Sequence, residues 1–163
     1  MSLGRAITQL HAAERDLADE FVKIADRHAV EHDVHHTGHA LARQARAHAE
    51  ALVAFADRHG ANVGNADGPE LWETFVSKLR RTGAELMGRS PRTGALLLRD
   101  LRRLYLSASE AEMSWWIVRQ GAMAVRDRDL AQLFDACHEE TWQQVRWVKT
   151  KIKEASAQIL VGG

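Results

Sequence analysis

The stretch from Ser2 to His28 carries one apolar face with an acidic residue in its middle. Apolar residues recur there at alternating steps of four and three, which is the repeat of a helix that buries one side. This face consists of Leu3, Ile7, Leu10, Glu14, Leu17, Phe21, Ile24 and His28. A buried carboxylate must be protonated, hydrogen-bonded or bound to a cation, because an unpaired buried charge is very costly. The rest of the chain therefore has to supply partners for Glu14.

The same repeat predicts three further long helices. They cover residues 32–59, 95–126 and 130–160, and Asp129 can cap the last of them. Glycines punctuate residues 60–68, and Pro69 opens a shorter helix that ends before a break at 88–94. The third helix is apolar on two sides, so both sides need a cover. Its second apolar side consists of Leu106, Glu110, Met113, Ile117 and Ala124.

Composition favours a single all-α domain over residues 1–163. The chain has 163 residues, enough for one substantial core, and only two prolines. Its formal net charge is zero, so nothing in the overall charge attracts nucleic acid or a membrane. Cys137 is the single cysteine, which excludes an internal disulfide. With no long apolar span and no signal-peptide pattern at the N-terminus, we expect a cytoplasmic protein.

The lengths of the connections predict a four-helix bundle. Short links join helices one and two, and helices three and four, so each pair should form an antiparallel hairpin. About 35 residues separate the two hairpins, enough to return along the length of the bundle. The sequence therefore predicts an up-down-down-up arrangement, with the short extra helix inside one long crossover.

Inward-facing polar residues recur at a similar spacing in the two hairpins. Glu14 precedes His48 by 34 residues, and Glu112 precedes Gln144 by 32. With this pattern the chain resembles the ferritin-like superfamily, in particular the rubrerythrin-like two-hairpin bundles. In that family one Glu on each first helix and a Glu-x-x-His pair on each second helix hold two iron or manganese ions. The resemblance implies a metal centre at the midpoint of the bundle.

This sequence departs from the family pattern at three positions. Ala45 and Thr141 stand where the family has bridging glutamates, and Gln144 stands where it has the second histidine. Hard divalent ions need several oxygen ligands, which Ala and Thr side chains do not replace. Glu140 and Gln143 lie about 90° away from the inner face of helix four, at the flank or surface.

Three interpretations of the midpoint stay open on the sequence. A single Fe, Mn or Zn ion can be held by Glu14, His48 and Glu112 with Gln144. Alternatively no metal binds, and a protonated His48 shares a buried network with the two glutamates, Gln144 and Tyr105. In the third, the helix phases differ slightly and the glutamates reach solvent.

Other features have simpler interpretations. His28, His32, His35, His36 and His39 form a stripe that we expect to face solvent, although the pair His35 and His39 can bind Zn or Ni in principle. The basic residues between 78 and 103 are expected to be solvated. Cys137 is expected to be a packing thiol. Trp142 and Trp147 lie off the inner face of helix four, under the crossover or in a homodimer contact with helix three.

The sequence leaves two functions from different classes. The first is a non-catalytic ferritin-like bundle with a degenerate metal centre that acts through oligomer or partner contacts. The second is an iron- or manganese-dependent oxidoreductase or ferroxidase with an altered metal site. A third possibility is a small apolar ligand between helices, where Gly38, Ala45 and Ala108 leave room. No catalytic residue set is identified, so the sequence leaves open whether the chain is an enzyme.

Overall fold

The computed structural model describes residues 1–64, 74, 77, 78, 81 and 93–161, and no strand occurs among them. Four long helices account for nearly all of these residues: α1 (Leu3–Arg27), α2 (His32–His59), α3 (Thr93–Ala124) and α4 (Arg128–Val161). The all-α prediction is thus confirmed for this part of the chain. Of the predicted short helix that begins at Pro69, residues 74, 77, 78 and 81 are described and are helical. The rest of that helix, and most of the predicted break at 88–94, lie outside the described residues.

Local side-chain chemistry sets the helix ends. Ser2 caps α1 by accepting the Arg5 N–H on its hydroxyl oxygen, and α2 ends at Gly60, whose φ of 63° is in the left-handed region that glycine tolerates. The predicted cap of α4 was wrong. Asp127, not Asp129, accepts the Leu130 N–H on Oδ1, and the helix therefore begins two residues earlier than expected.

Close backbone approach holds α1 and α2 together as an antiparallel pair. Gly4, in the first turn of α1, lies so near the carbonyl oxygen of His59 that a β-carbon would collide with it. At the other end of the pair, a β-carbon on Gly38 would lie 2.9 Å from the β-carbon of Ala25. α3 and α4 are also antiparallel, since Gly94 lies against Ile159. Small residues thus fix how near the helices of each pair come to one another.

Ion pairs between buried or half-buried side chains connect the α1–α2 pair to the α3–α4 pair at both ends of the bundle. At one end, Asp100 of α3 accepts hydrogen bonds from His28 Nε2 and Arg27 Nη1, both at 2.9 Å. At the other end, Asp127 contacts His59 Nε2 at 2.7 Å and Arg58 Nη1 at 3.1 Å. Burial opposes the charge on Asp127, but the Leu130 N–H, His59 and Arg58 outweigh it and hold the pKa of Asp127 at about 2. None of the described helices is long and apolar enough to cross a membrane.

Apolar side chains fill the interior in three clusters. The largest joins residues of all four helices around Leu17, Phe21 and Leu104, and a second surrounds Leu10, Trp115 and Phe134. The third lies near the start of α3 and the end of α4, around Leu101. The polar residues of the predicted constellation lie close to the first two clusters.

Candidate functional site

Glu14 lies in the bundle interior with no solvent-exposed surface, as the sequence predicts. Its Oε1 accepts a hydrogen bond from Trp115 Nε1 at 2.6 Å and contacts His48 Nδ1 at 3.2 Å. The hydroxyl of Thr141 lies 3.4 Å from the same oxygen, but it also donates to the Cys137 carbonyl at 2.9 Å. The other oxygen, Oε2, is buried and has no hydrogen-bond partner among the described residues.

His48 connects this carboxylate to a second one. Its Nε2 lies 2.7 Å from Oε2 of Glu140, on the opposite side of the ring from Glu14. The ring is nearly buried, whereas the Glu140 side chain is 46% exposed. Glu140 therefore lies at the flank as expected, but its side chain reaches inward to His48, which was not expected. The imidazole thus bridges a carboxylate in the core and one at the surface.

The two carboxylates determine the protonation of His48. Burial by itself lowers the pKa of an imidazole, but the hydrogen bonds and negative charges of Glu14 and Glu140 outweigh burial and raise the pKa of His48 above its usual 6.5. An imidazolium donates from both ring nitrogens, which is what two flanking carboxylates require.

The other two predicted metal ligands lie in separate contacts. Glu112 is hydrogen-bonded to His138 Nε2 at 2.9 Å and to Trp116 Nε1 at 3.0 Å, and its side chain is 22% exposed. Gln144 is fully buried and donates to Gln44 Oε1 at 3.1 Å, while its own Oε1 has no partner among the described residues. The structure thus joins Glu14 to His48 and does not bring Glu112 into that contact.

The midpoint residues do not fit the family's two-metal centre. Ala45 and Thr141 supply no carboxylates, and Glu14 and Glu140 approach different nitrogens of His48. A metal site needs several ligand atoms close together. Among the described residues, one group of three histidine, cysteine or acidic side chains has ligand atoms within 4.8 Å of one another, and this group does not lie at the midpoint. Tyr105, which the network interpretation included, packs against the apolar cluster around Phe21.

That other group joins Asp26 of α1 to His35 and His39 of α2 and lies close enough together to bind a metal ion. Asp26 Oδ1 is 2.7 Å from His39 Nε2 and 3.9 Å from His35 Nδ1. The expectation that the histidine stripe faces solvent holds for His32 and His36 but is wrong for His28, His35 and His39. The close approach of the helices at Gly38 explains the difference, since it brings the flank of α2 against the last turn of α1.

Two further expectations can be compared with the structure. Cys137 is a packing thiol, because burial and the nearby charges of Glu14 and Glu140 raise the pKa of Cys137 to about 12. Trp147 is half-buried and packs against Phe21, with ring centroids 6.5 Å apart, whereas most of the crossover that was expected to cover it lies outside the described residues.

The three residues expected to leave room for an apolar ligand are closely packed. Ala45 and Ala108 are fully buried in the core, and the close approach to Ala25 occupies the space beside Gly38. A cavity of about 510 Å³ lies instead at the end of the bundle where α1 meets α2, bordered by His28, Val34 and Leu97.

Sequence reasoning missed Trp115, Glu140 and Asp26. Trp115 was assigned to the apolar inner face, although a buried indole N–H needs an acceptor and Glu14 is one helix away. Asp26 gave none, because helical periodicity places it on the side of α1 away from the apolar face, and only the packing of α2 brings it against His35 and His39. Glu140 gave none, since its contact depends on the side on which α2 packs.

Comparisons of the chain with protein-family models, with curated proteins and with solved structures found no match.

Proposed function

We propose that this chain is a ferritin-like bundle whose midpoint is a hydrogen-bonded ion network in place of a metal centre, and that it acts in the cytoplasm by pairing with a second copy of itself. The contacts between helix ends support the up-down-down-up arrangement. Asp100, near the start of α3, lies beside His28, and Asp127, after the end of α3, lies beside His59. The end of α2 and the start of α3 therefore lie at opposite ends of the bundle, as the two ends of a ferritin-like crossover do.

One observation supports a midpoint without a metal ion. Both ring nitrogens of His48 face carboxylate oxygens, at 3.2 Å and 2.7 Å, so the protonated ring has no lone pair to offer a metal ion. The charge of the imidazolium also compensates the buried charge of Glu14, which is the role that the metal ions fill in the family.

A second candidate function is the metal-dependent oxidoreductase with an altered ligand set. It is favoured by two buried acceptors at the midpoint, Glu14 Oε2 and Gln144 Oε1, which have no hydrogen-bond partner among the described residues. A divalent cation such as Fe, Mn or Zn on these oxygens, with His48 deprotonated and Glu112 rotated inward, would satisfy both.

Metal analysis of full-length protein purified without an affinity tag separates the two candidates. After loading with Fe²⁺, Mn²⁺ or Zn²⁺ and removal of the excess, we expect the metal content to be the same in the wild type and in Glu14→Gln. The amide keeps an acceptor for the Trp115 N–H, so the variant should retain its helical circular dichroism. Loss of one equivalent of metal in Glu14→Gln would instead establish the metal-dependent candidate.

The outer face of α3 supports pairing with a second copy. Leu106, Met113 and Ile117 recur there at helical spacing and are 60%, 57% and 44% exposed. Arg102 and Glu110 lie one turn to either side of Leu106 and carry opposite charges. If two copies of α3 pack antiparallel about Leu106, each Arg102 faces the partner subunit's Glu110, as a two-fold interface requires.

Exchanging the two charges tests this dimer. We expect Arg102→Glu alone and Glu110→Arg alone to weaken dimerisation by about tenfold or more, because each creates two like-charge contacts across the two-fold axis. The double variant restores the opposite charges and should dimerise like the wild type. Sedimentation equilibrium at micromolar concentrations measures the dissociation constants.

A charge placed away from this face serves as the control. Val53→Lys alters an exposed apolar residue on α2 and should leave the dissociation constant unchanged. A monomeric wild type, or a double variant that is no tighter than either single variant, would contradict the proposed interface.

A further inference from the structure

The group formed by Asp26, His35 and His39 has the composition of a metal site and lies outside the bundle midpoint. His35 and His39 are one turn apart on α2, with ring centroids separated by 4.9 Å, and Asp26 faces them from the last turn of α1. One potential ligand atom from each residue lies within 4.8 Å of the others. Zinc ligands lie about 2.0–2.2 Å from the ion, so these three atoms would have to move closer together to share one.

A second observation points to a ligand at the same place. The Asp26 side chain is only 4% exposed, and its Oδ2 is buried without a hydrogen-bond partner among the described residues. A buried carboxylate oxygen that has lost its water without gaining a partner is unfavourable. A cation bound to this carboxylate supplies the missing interaction, and the two imidazoles beside it supply further ligands.

The surroundings keep His35 in position. Its Nδ1 lies 2.9 Å from the carbonyl oxygen of Ala25, in the same turn of α1 as Asp26. A histidine that binds a metal commonly donates its other ring N–H to a backbone carbonyl, so the Ala25 contact of Nδ1 leaves Nε2 of His35 as the nitrogen for the ion. The His35 side chain is 27% exposed, and the exposed His36 lies against it, so an ion can enter from the solvent side.

We propose that Asp26, His35 and His39 bind one divalent transition-metal ion of the Zn²⁺, Co²⁺ or Ni²⁺ type, which fastens the end of α1 to the start of α2. Two imidazoles select these ions over Ca²⁺ and Mg²⁺, which prefer oxygen ligands. Three protein ligands leave at least one coordination position for water, so the site is open rather than purely structural. The inference is independent of the midpoint network and of the proposed dimer.

Binding of Zn²⁺ to tag-free, full-length protein tests the site by isothermal titration calorimetry, with Co²⁺ absorption as a second readout. We expect one equivalent of Zn²⁺, and visible Co²⁺ d–d bands of the intensity that four- or five-coordinate ions give. His39→Gln and Asp26→Asn should weaken binding by about 100-fold or more, because each removes a ligand. The half-exposed His35→Gln provides a third variant that is expected to fold even if the two more buried ones do not.

Matched control variants separate Zn²⁺ binding at this site from Zn²⁺ binding elsewhere in the chain. His36→Gln removes a neighbouring histidine of the same helix and should bind Zn²⁺ like the wild type, as should Glu14→Gln at the midpoint. Equal loss in His36→Gln and His39→Gln would show non-specific uptake by the histidine stripe and overturn the site. So would the absence of stoichiometric binding at micromolar Zn²⁺, in which case Asp26 and His39 form only a hydrogen-bonded pair.

Discussion

Replacing His48 with alanine is expected to lower the free energy of unfolding by about 3–5 kcal/mol, because it leaves a buried charge without its partner. Glu14 has no exposed surface, and His48 is the cationic group on its Oε1. Without the imidazolium, Glu14 still accepts the Trp115 N–H, but no positive charge compensates its own charge. Urea unfolding followed by circular dichroism measures the loss.

A double variant separates the loss of the ion pair from the loss of side-chain packing at His48. In Glu14→Leu/His48→Leu both charges are gone and the inner face of α1 becomes continuously apolar, so most of the lost stability should return. If His48→Ala costs less than about 1 kcal/mol, the contact between His48 and Glu14 is not an ion pair.

The pH dependence supplies an independent check. Because the pKa of His48 is raised in the folded protein, its contribution to stability is complete below the unfolded value near 6.5 and is lost as pH rises through the folded pKa. The stability difference between the wild type and His48→Gln should therefore shrink as pH rises from 6 towards 10. Taking the difference removes the contribution of groups such as His11, whose pKa is lowered by burial and by Arg15 and Arg46.

The second large effect is expected at Trp115. Among the residues that the structure describes, this is the largest fully buried side chain, and it combines apolar contacts in the core with the 2.6 Å hydrogen bond to Glu14. Trp115→Ala should lower the free energy of unfolding by about 3–5 kcal/mol, through lost apolar contact and the resulting cavity. The same urea titrations measure it.

Trp115→Phe isolates the hydrogen bond, since it keeps an aromatic ring but removes the N–H. We expect a cost of about 1.5–3 kcal/mol, the range for hydrogen bonds to charged groups, and a smaller cost in a Glu14→Leu background. Trp142→Ala, at a residue that is 41% exposed, is the surface control and should change stability by less than about 0.5 kcal/mol. A Trp115→Phe protein as stable as the wild type would mean that the N–H of Trp115 does not stabilise Glu14.

Local information was enough to predict the helices and their inner faces. The second helix was predicted over 32–59 and is found at His32–His59, because Gly60 ends it and the apolar repeat continues to that point. The burial of Glu14 and His48 could also be predicted, since helical periodicity fixes which residues share a face. The start of α4 was misplaced because Asp127 and Asp129 are both good capping residues. Asp127 is the cap in the structure, where it also contacts His59 at the end of α2.

The contacts at the midpoint could be predicted only in part, because they too depend on neighbouring helices. Glu112 lies near the inner face of α3 by periodicity, but the packing of α3 against α4 turns it towards His138. Glu140 lies off the inner face of its own helix, yet the position of α2 brings His48 within its reach. Periodicity gives the angle of a side chain about its own axis, and it does not give the side on which a neighbouring helix packs.

The sequence by itself determined that this chain forms long amphipathic helices with an acidic residue and a histidine on their buried faces. Only the tertiary structure decided which partners those residues have: Trp115 and Glu140 at the midpoint, and Asp26 with His35 and His39 near the α1–α2 turn. The physical reason is the range of the interactions. A helix and its apolar face follow from residues three and four apart, whereas a hydrogen bond between helices depends on separations and rotations that the whole core sets.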